Sequence, residues 1–339
     1  MKIAVILPSG KSDYLANTVL DGLIGLSKYK SDIVFFVTKN YPNPFALEKY
    51  EKDEVDFIEF AKTADMIILT WGKNSTNILL AEKINEWKKT IFIDGSELGK
   101  NNRFDNKIKQ EVIDGSYTGI GSIDQTMLSK CILYFRREKP YIKGIIPLPF
   151  GIESRYMIFA EKDNTRDIDF TCIFGQDEYP ILRKQVKEYI EKFSKENGFK
   201  CHTKKTSGFN FDDNTKKAGR DDFYKILSRT KVGISIGGGG FDTARFWEIL
   251  GSGAMLMTEK IDIYNENSNR LKYKRIVEFK DLEDFKLKIK DMGNYIRNDY
   301  KNDQIELNTE YEKVVKDHST GARVQEIINH FNNDNISIV

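Results

Sequence analysis

The densest chemistry in the chain lies in KVGISIGGGGFDTARFWEILGSGAMLMT, residues 231–258. Four consecutive glycines, Gly237 to Gly240, leave a backbone that can approach a ligand closely and reach positive φ. A helix expected over Asp242–Leu250 follows them, with Asp242 as N-cap and Gly251 as C′ residue, and helix starts favour anions. At about 100° per residue, Arg245 and Glu248 share one side of this helix, and Phe246, Ile249 and Leu250 another. A guanidinium can hold phosphate oxygens through paired hydrogen bonds, and a carboxylate can accept from two ribose hydroxyls. The pairing therefore suits a ligand that carries both groups, as a nucleotide-sugar does. The alternative is a tight turn beside an ordinary surface pair at i, i+3.

Other candidates lie where strands end. Gly10-Lys11-Ser12 imitates the close of a phosphate-binding P-loop, but Val5 stands where that motif needs its first glycine, which argues against an NTPase. Ser9 and Gly10 still follow a strand, and open α/β sheets bind ligands at strand carboxyl ends. Asp94-Gly-Ser-Glu97 puts carboxylates at another such end, although a helix cap or turn is the commoner explanation. In the second half a strand ends in Gly175 and Gln176. Lys205, in a polar run expected to be a solvated loop (Thr203–Gly219), and Arg220 just after it could reach a diphosphate.

These residues need a scaffold of alternating elements. Lys2–Leu7 reads as a strand buried on both faces, followed by a helix carrying Leu15, Val19, Leu20, Leu23 and Leu26. Strands at Ile33–Val37, Met66–Thr70 and Thr90–Ile93, with helices at Phe57–Thr63 and Ile78–Trp87, continue a doubly wound pattern. Asn101–Gln125 is polar and lacks a period. After IIPLPFGI, residues 145–152, the alternation restarts: strand Asp169–Phe174, helix Ile181–Phe193, a short segment at Phe199–His202, helix Asp222–Ser228, strands Lys231–Ile236, Ala254–Thr258 and Arg275–Phe279, and helix Leu282–Ile296. A last helix from Ser319 places Val324, Ile327, Ile328 and Phe331 on one face. The expected organisation is an N-terminal Rossmann-like domain, 1–148, a second, 149–305, and a helical segment, 306–339, that can pack back on the first.

Composition narrows the function classes. The 339 residues exceed a single domain of about 150. With 40% hydrophobic and 31% charged residues the chain reads as soluble and globular, and a net charge of +2 gives no global field for nucleic acid. Cys131, Cys172 and Cys201 lack the spacing of a disulfide framework or zinc site. No run approaches the roughly 18 apolar residues of a membrane span, and the N-terminus reads as a strand rather than a signal peptide, so a cytoplasmic protein is expected. The lysine-rich helix at 282–296 could touch an anionic membrane surface, an ordinary solvated face being the simpler reading.

Two α/β halves joined by a Pro/Gly hinge resemble the GT-B glycosyltransferase architecture, two Rossmann-like domains facing a cleft. FYKILSRTKVGISI and GGGGFDTARFWEILGSGAML, within Phe223–Thr258, resemble the glycosyltransferase group 1 segment of the spore-maturation-protein-like family and, more distantly, the exostosin family. His318, Ser319, Thr320 and Arg323 are similar to that family's closing helix, and Ile146–Gly151 to its interdomain linker. The likeness covers the last third of the chain; before residue 145 it is architectural. It implies that Glu248 holds the donor ribose and that Gly238, Gly239, Gly240, Asp242 and Thr243 hold the diphosphate or sugar, with Gly175, Lys205, Arg220 and Arg245 on the donor side and Ser9 and Gly10 on the acceptor side. Gly240 stands where many retaining members carry the first of two glutamates, so retention and inversion both stay open. In an inverting reaction Asp13 or Asp94 would take the acceptor proton. The likeness further implies no cofactor beyond the nucleotide-sugar co-substrate and no metal requirement. The acceptor could be a glycan, protein or lipid, with DNA disfavoured by the near-neutral charge. An epimerase of the same architecture and a degenerate glycan- or nucleotide-binding module are the alternatives.

Overall fold

In the computed structural model the described residues are 1–10, 12–70, 75–96, 106–118, 121–138, 142–160, 165–204, 214–261, 263–264 and 268–336. They form two compact units. The first comprises Met1–Gly151, Asp262–Asn265 and Thr320–Val339, and the second Ile152–Ile261 and Glu266–Ser319.

In the first unit, strands β1 (Lys2–Ile6), β2 (Val34–Thr38), β3 (Glu51–Lys52), β4 (Met66–Thr70), β5 (Thr90–Asp94), β6 (Leu133–Arg136) and β7 (Ile145–Pro147) form one parallel sheet in the order β3-β2-β1-β4-β5-β6-β7. Helices α1 (Tyr14–Tyr29), α2 (Glu54–Thr63), α3 (Ser75–Ile84), α4 (Asn106–Asp114) and α5 (Gln125–Lys130) connect them. The strand order reverses between β1 and β4, which opens a crevice at their carboxyl ends. β4 and β5 are buried throughout, which is why their sequences run apolar without alternation.

In the second unit, β8 (Ile168–Thr171), β9 (Cys201–His202), β10 (Thr230–Ser235), β11 (Met255–Glu259) and β12 (Ile276–Phe279) pair in parallel in the order β12-β11-β10-β8-β9. Its helices are α6 (Ile181–Asn197), α7 (Asn214–Ser228), α8 (Ala244–Gly251), α9 (Leu282–Asn298) and α10 (Gln304–His318). Phe170, Ile234 and Met257 of the sheet share a core with Val186 and Ile190 of α6 and Phe285 and Ile289 of α9. Here the reversal lies between β8 and β10, so the glycine loop after β10 and Gly175 after β8 flank the switch point.

The chain then returns to the first unit as α11 (Thr320–Ile336), which packs against α1 and buries Val324, Ile327, Ile328 and Phe331. Burying one such side chain contributes about 2 kcal/mol. Both units are thus doubly wound, as the alternation predicts.

Several elements depart from the sequence reading. β3 and β7 are two and three residues long, too short for a period. β7 lies within the expected linker, and its edge position tolerates Pro147. The run expected as a loop through Gly219 is helical from Asn214 onward. α10 was not legible because only Leu307, Val314 and His318 are buried along its 15 residues.

Candidate functional site

The glycine segment builds one half of the site. α8 starts at Ala244 with Thr243 as N-cap, and the Thr243 side chain makes no capping hydrogen bond. The expected cap, Asp242, is 1% exposed, and its Oδ1 accepts the Trp247 indole N–H at 2.7 Å. That bond fixes the orientation of the large buried indole. The helix also runs through Gly251, and the left-handed residue is Gly253, at φ +76°. Gly251 is instead a packing glycine: a Cβ there would lie 2.7 Å from Cβ of Tyr156.

The loop's own amides are partly engaged. Gly237 N–H donates to Glu259 Oε2 at 3.1 Å, and Gly238 N–H to the Gly240 carbonyl at 2.9 Å. The turn is therefore closed at its start and does not offer all its N–H groups to a ligand. Glu259, the last residue of β11, is 7% exposed and puts a carboxylate against the loop. Arg183, in the first turn of α6, lies on the other side. Its Nη2 donates to the Ile236 carbonyl at 3.0 Å and its Nη1 to the Gln176 carbonyl at 3.2 Å. The guanidinium stacks on Phe174 at 5.1 Å and ties the end of β8, with exposed Gly175, to the end of β10. A Cβ on Gly238 would sit 2.8 Å from Nη2, so glycine there is what lets the cation lie against the loop.

Arg245 and Glu248 are an ion pair, Nη1 to Oε2 3.0 Å, but not on the surface: the side chains are 10% and 9% exposed. The Arg245 guanidinium lies 4.0 Å over the Phe223 ring. Around them is a polar layer the sequence did not announce. Arg155 Nε donates to Glu153 at 2.6 Å and the Tyr156 hydroxyl to the same carboxylate at 2.8 Å. Burial pushes the Tyr156 and Tyr224 phenols well above their ordinary range, with Glu153 and Glu248 adding to the effect. Arg220 falls on α7, and Lys205 lies outside the described residues.

Asp13, Asp94, Ser9 and Gly10 belong to the first unit, at the carboxyl ends of β1 and β5. Asp13 caps α1, accepting from the Leu15 and Ala16 N–H groups at 3.2 and 3.1 Å. Burial raises its pKa against those two bonds, Arg137 lowers it, and Asp94 raises it, so the two candidate carboxylates feel one another. Asp94 accepts from the Ser96 N–H and hydroxyl at 3.0 and 2.5 Å and from the Tyr134 hydroxyl at 2.7 Å. Asp94 is therefore the more fully engaged acceptor. Ser9 and Gly10 are exposed, and Gly10, at φ +71°, donates to the Asn40 carbonyl at 3.1 Å.

Sequence reasoning missed Arg183 and Glu259. The available signal was positional: each sits beside a strand end that flanks the glycine loop. The lysine-rich α9 has its apolar side on the core, and two of its lysines pair with Glu283 and Asp284 at 2.6 and 3.0 Å. Among the described residues no helix is long and apolar enough to cross a membrane, and no three His, Cys, Asp or Glu side chains are grouped as a metal site.

A glycosyl transferase-like family matches residues 183–329, a span that starts at Arg183 and includes the glycine loop, α8 and Glu259. No curated protein matches the chain in sequence. Among solved structures, a glycosyltransferase from Rickettsia africae is 12% identical with TM-score 0.53, covering 98% of both chains. An α-glucosyltransferase in complex with UDP and DNA is 11% identical with TM-score 0.57, over 98% of this chain and 99% of the other. HepE from Anabaena, in complex with UDP-glucose, is 10% identical with TM-score 0.51, over 98% and 100%. The chain therefore has the two-domain GT-B fold and carries a glycosyl transferase-like segment that includes its glycine-loop site.

Proposed function

We propose that the protein is a glycosyltransferase that moves a sugar from a nucleotide-sugar donor to an acceptor hydroxyl. The observation that carries this reading is the Arg183 guanidinium braced against the glycine loop at the β8/β10 switch point, with the side-chain-uncapped start of α8 following that loop in the chain. A cation and a helix N-terminus each stabilise the charge that develops on a departing diphosphate. The likeness of Phe223–Thr258 to the spore-maturation-protein-like family gives Glu248 the ribose. Neighbours whose structures hold UDP or UDP-glucose make uridine the first nucleotide to try.

Within the loop the roles divide by charge. Glu259 repels phosphate and accepts from hydroxyls, so the loop beside it takes the donor sugar, while Arg183 and the start of α8 take the diphosphate. In an inverting reaction Asp13 is the favoured base, since its burial moves its pKa toward the range useful for proton transfer. The base takes the acceptor hydroxyl's proton, that oxygen bonds to the anomeric carbon, and the bond from that carbon to the diphosphate oxygen breaks with its electron pair.

Thermal-shift titration with UDP, GDP, ADP, CMP and their sugar conjugates tests the donor site. One nucleotide family is expected to stabilise the wild type and to lose that effect in Glu248→Gln. No shift with any of them would remove the donor-binding reading.

A further inference from the structure

The edge of the second sheet where its strands begin, opposite the edge that carries the glycine loop, holds two arginines. Arg166 stands two residues before β8, and Arg275 immediately before β12. Gly253, two residues before β11, makes room between them. It sits at φ +76°, and a Cβ there would lie 2.7 Å from Arg166 Nη2 and 3.8 Å from the Tyr311 ring. The Arg275 guanidinium lies 5.3 Å from the centre of that same ring. Both cations therefore border Tyr311.

Helix geometry accounts for Arg166. Its Nη1 donates to the Leu227 and Thr230 carbonyls at 3.3 and 2.7 Å, and its Nη2 to the Ser252 carbonyl at 2.8 Å. It thus sits at the C-terminal ends of α7 and α8, where a cation is favoured. Arg275 has no such account. It is 1% exposed, and its Nη2 donates to the Leu307 carbonyl. Its Nε stands 3.5 Å from Glu310 Oε2, and among the described residues neither Nε nor Nη1 makes a hydrogen bond. Glu310 is already engaged, because its two oxygens accept the Lys274 and Arg275 backbone N–H groups at 2.5 and 2.9 Å. The nearby Asp303 and Glu306 are held by Lys274 at 2.8 and 2.6 Å. Among the described residues Glu310 is the one carboxylate within ion-pair distance of either guanidinium.

Arginine keeps its proton at neutral pH. Burial pushes the Arg275 pKa down to about 10 against the pull of Glu310, and Arg166 pushes it the same way as burial does. Buried N–H groups on a cation are costly unless an anion satisfies them. The anion must be small, since Arg275 Nε and Nη1 are closed to solvent, whereas the half-buried Arg166 leaves one flank within reach of it. A phosphate ester or a nucleic-acid backbone is too large for such a place.

We propose that Arg275 and Arg166 form a binding site for a chloride-sized monovalent anion, which ties α10 to the starts of β11 and β12. The site lies beyond the transferase reading and does not depend on it.

Thermal melts of the full chain in sodium gluconate, fluoride, chloride and bromide at matched ionic strength test the site, together with chloride NMR line widths. General salt effects favour the strongly hydrated ions, which are excluded from the surface. A buried site reverses that order, because chloride and bromide shed water more readily than fluoride. The wild type should show a saturable rise in Tm in chloride and bromide over fluoride and gluconate, and a broadened chloride resonance that bromide narrows by competition. Both effects should vanish in Arg275→Met. Glu310→Gln removes the charge that competes with the ion, so chloride should bind about tenfold more tightly, a change that a purely structural arginine does not produce. No halide-specific rise or broadening in the wild type, or halide binding that both variants leave unchanged, would overturn the proposal. Should Arg275→Met fail to fold, Glu310→Gln decides alone: tighter chloride binding supports the site, and equal or weaker binding removes it.

Discussion

Glu248 and Glu259 are both buried carboxylates of the second unit, but their partners differ. Glu248 pairs with Arg245, whereas Glu259 accepts a backbone N–H. Glu259→Gln keeps an acceptor for Gly237 and removes only the charge. Calorimetry should then show nucleotide-sugar affinity falling about tenfold, one charge-assisted hydrogen bond's worth, while nucleoside diphosphate affinity holds or rises. Equal losses for both ligands would make Glu259 a loop strut and nothing more. Asp13 gives a pH prediction. A carboxyl that burial has raised holds its proton more tightly folded than unfolded. It stabilises the native state below its unfolded value near 3.8 and loses that contribution as pH climbs through the folded value. Asn caps a helix about as well as Asp. Asp13→Asn should therefore be at least as stable as wild type at neutral pH, with a flatter acid-to-neutral stability profile in urea melts. If Asp13 is the base, turnover should drop about 10²-fold or more in the same variant.

At the level of elements, α8 is placed by what lies under it. Gly233 of β10 has Ile249 against it, and a Cβ there would stand 2.7 Å from the Ile249 side chain. Gly233→Ala should cost about 1–3 kcal/mol by overpacking, and Ile249→Val in the same chain should recover part of it, as read by urea denaturation. No recovery in the double variant would mean the strain is relieved elsewhere. The glycine loop is also an element with its own internal bonds. Its closure by Gly238 and Gly240 explains why a run of four glycines is not simply an open anion cradle. The helix boundaries around it moved because Asp242 found a stronger use on Trp247 than at the cap.

On the scale of the whole molecule, the last helix belongs to the first unit although its sequence follows the second. Thr320 Oγ1 donates to Asp21 at 2.7 Å, Arg323 Nε to the Phe150 carbonyl at 3.2 Å, and a Cβ on Gly22 would lie 2.6 Å from Val324. Removing residues 320–339 uncovers α1 and four buried apolar side chains. The loss is on the order of a domain's whole stability, ~5–15 kcal/mol. Protease protection of the first unit should disappear in that truncation while the second unit stays protected. Persistence of both would show that α11 contributes little.

Periodicity and composition determined the doubly wound class, the buried strands and the position of the glycine loop, because each depends on neighbours within one element. Met66–Thr70 was legible to the residue, since a strand buried on both faces leaves an uninterrupted apolar run. The pairing partners were not legible. Arg183 is some fifty positions before the loop it braces, and Glu259 some twenty after its start, and apart from its place beside a strand end no motif marks either. The burial of Arg245 with Glu248, the shift of Asp13 and the approach of Arg166 and Arg275 to Tyr311 likewise follow from strand order and helix packing. Only the tertiary structure could decide them, because desolvation and hydrogen-bond partnership depend on which distant segments arrive at the same place.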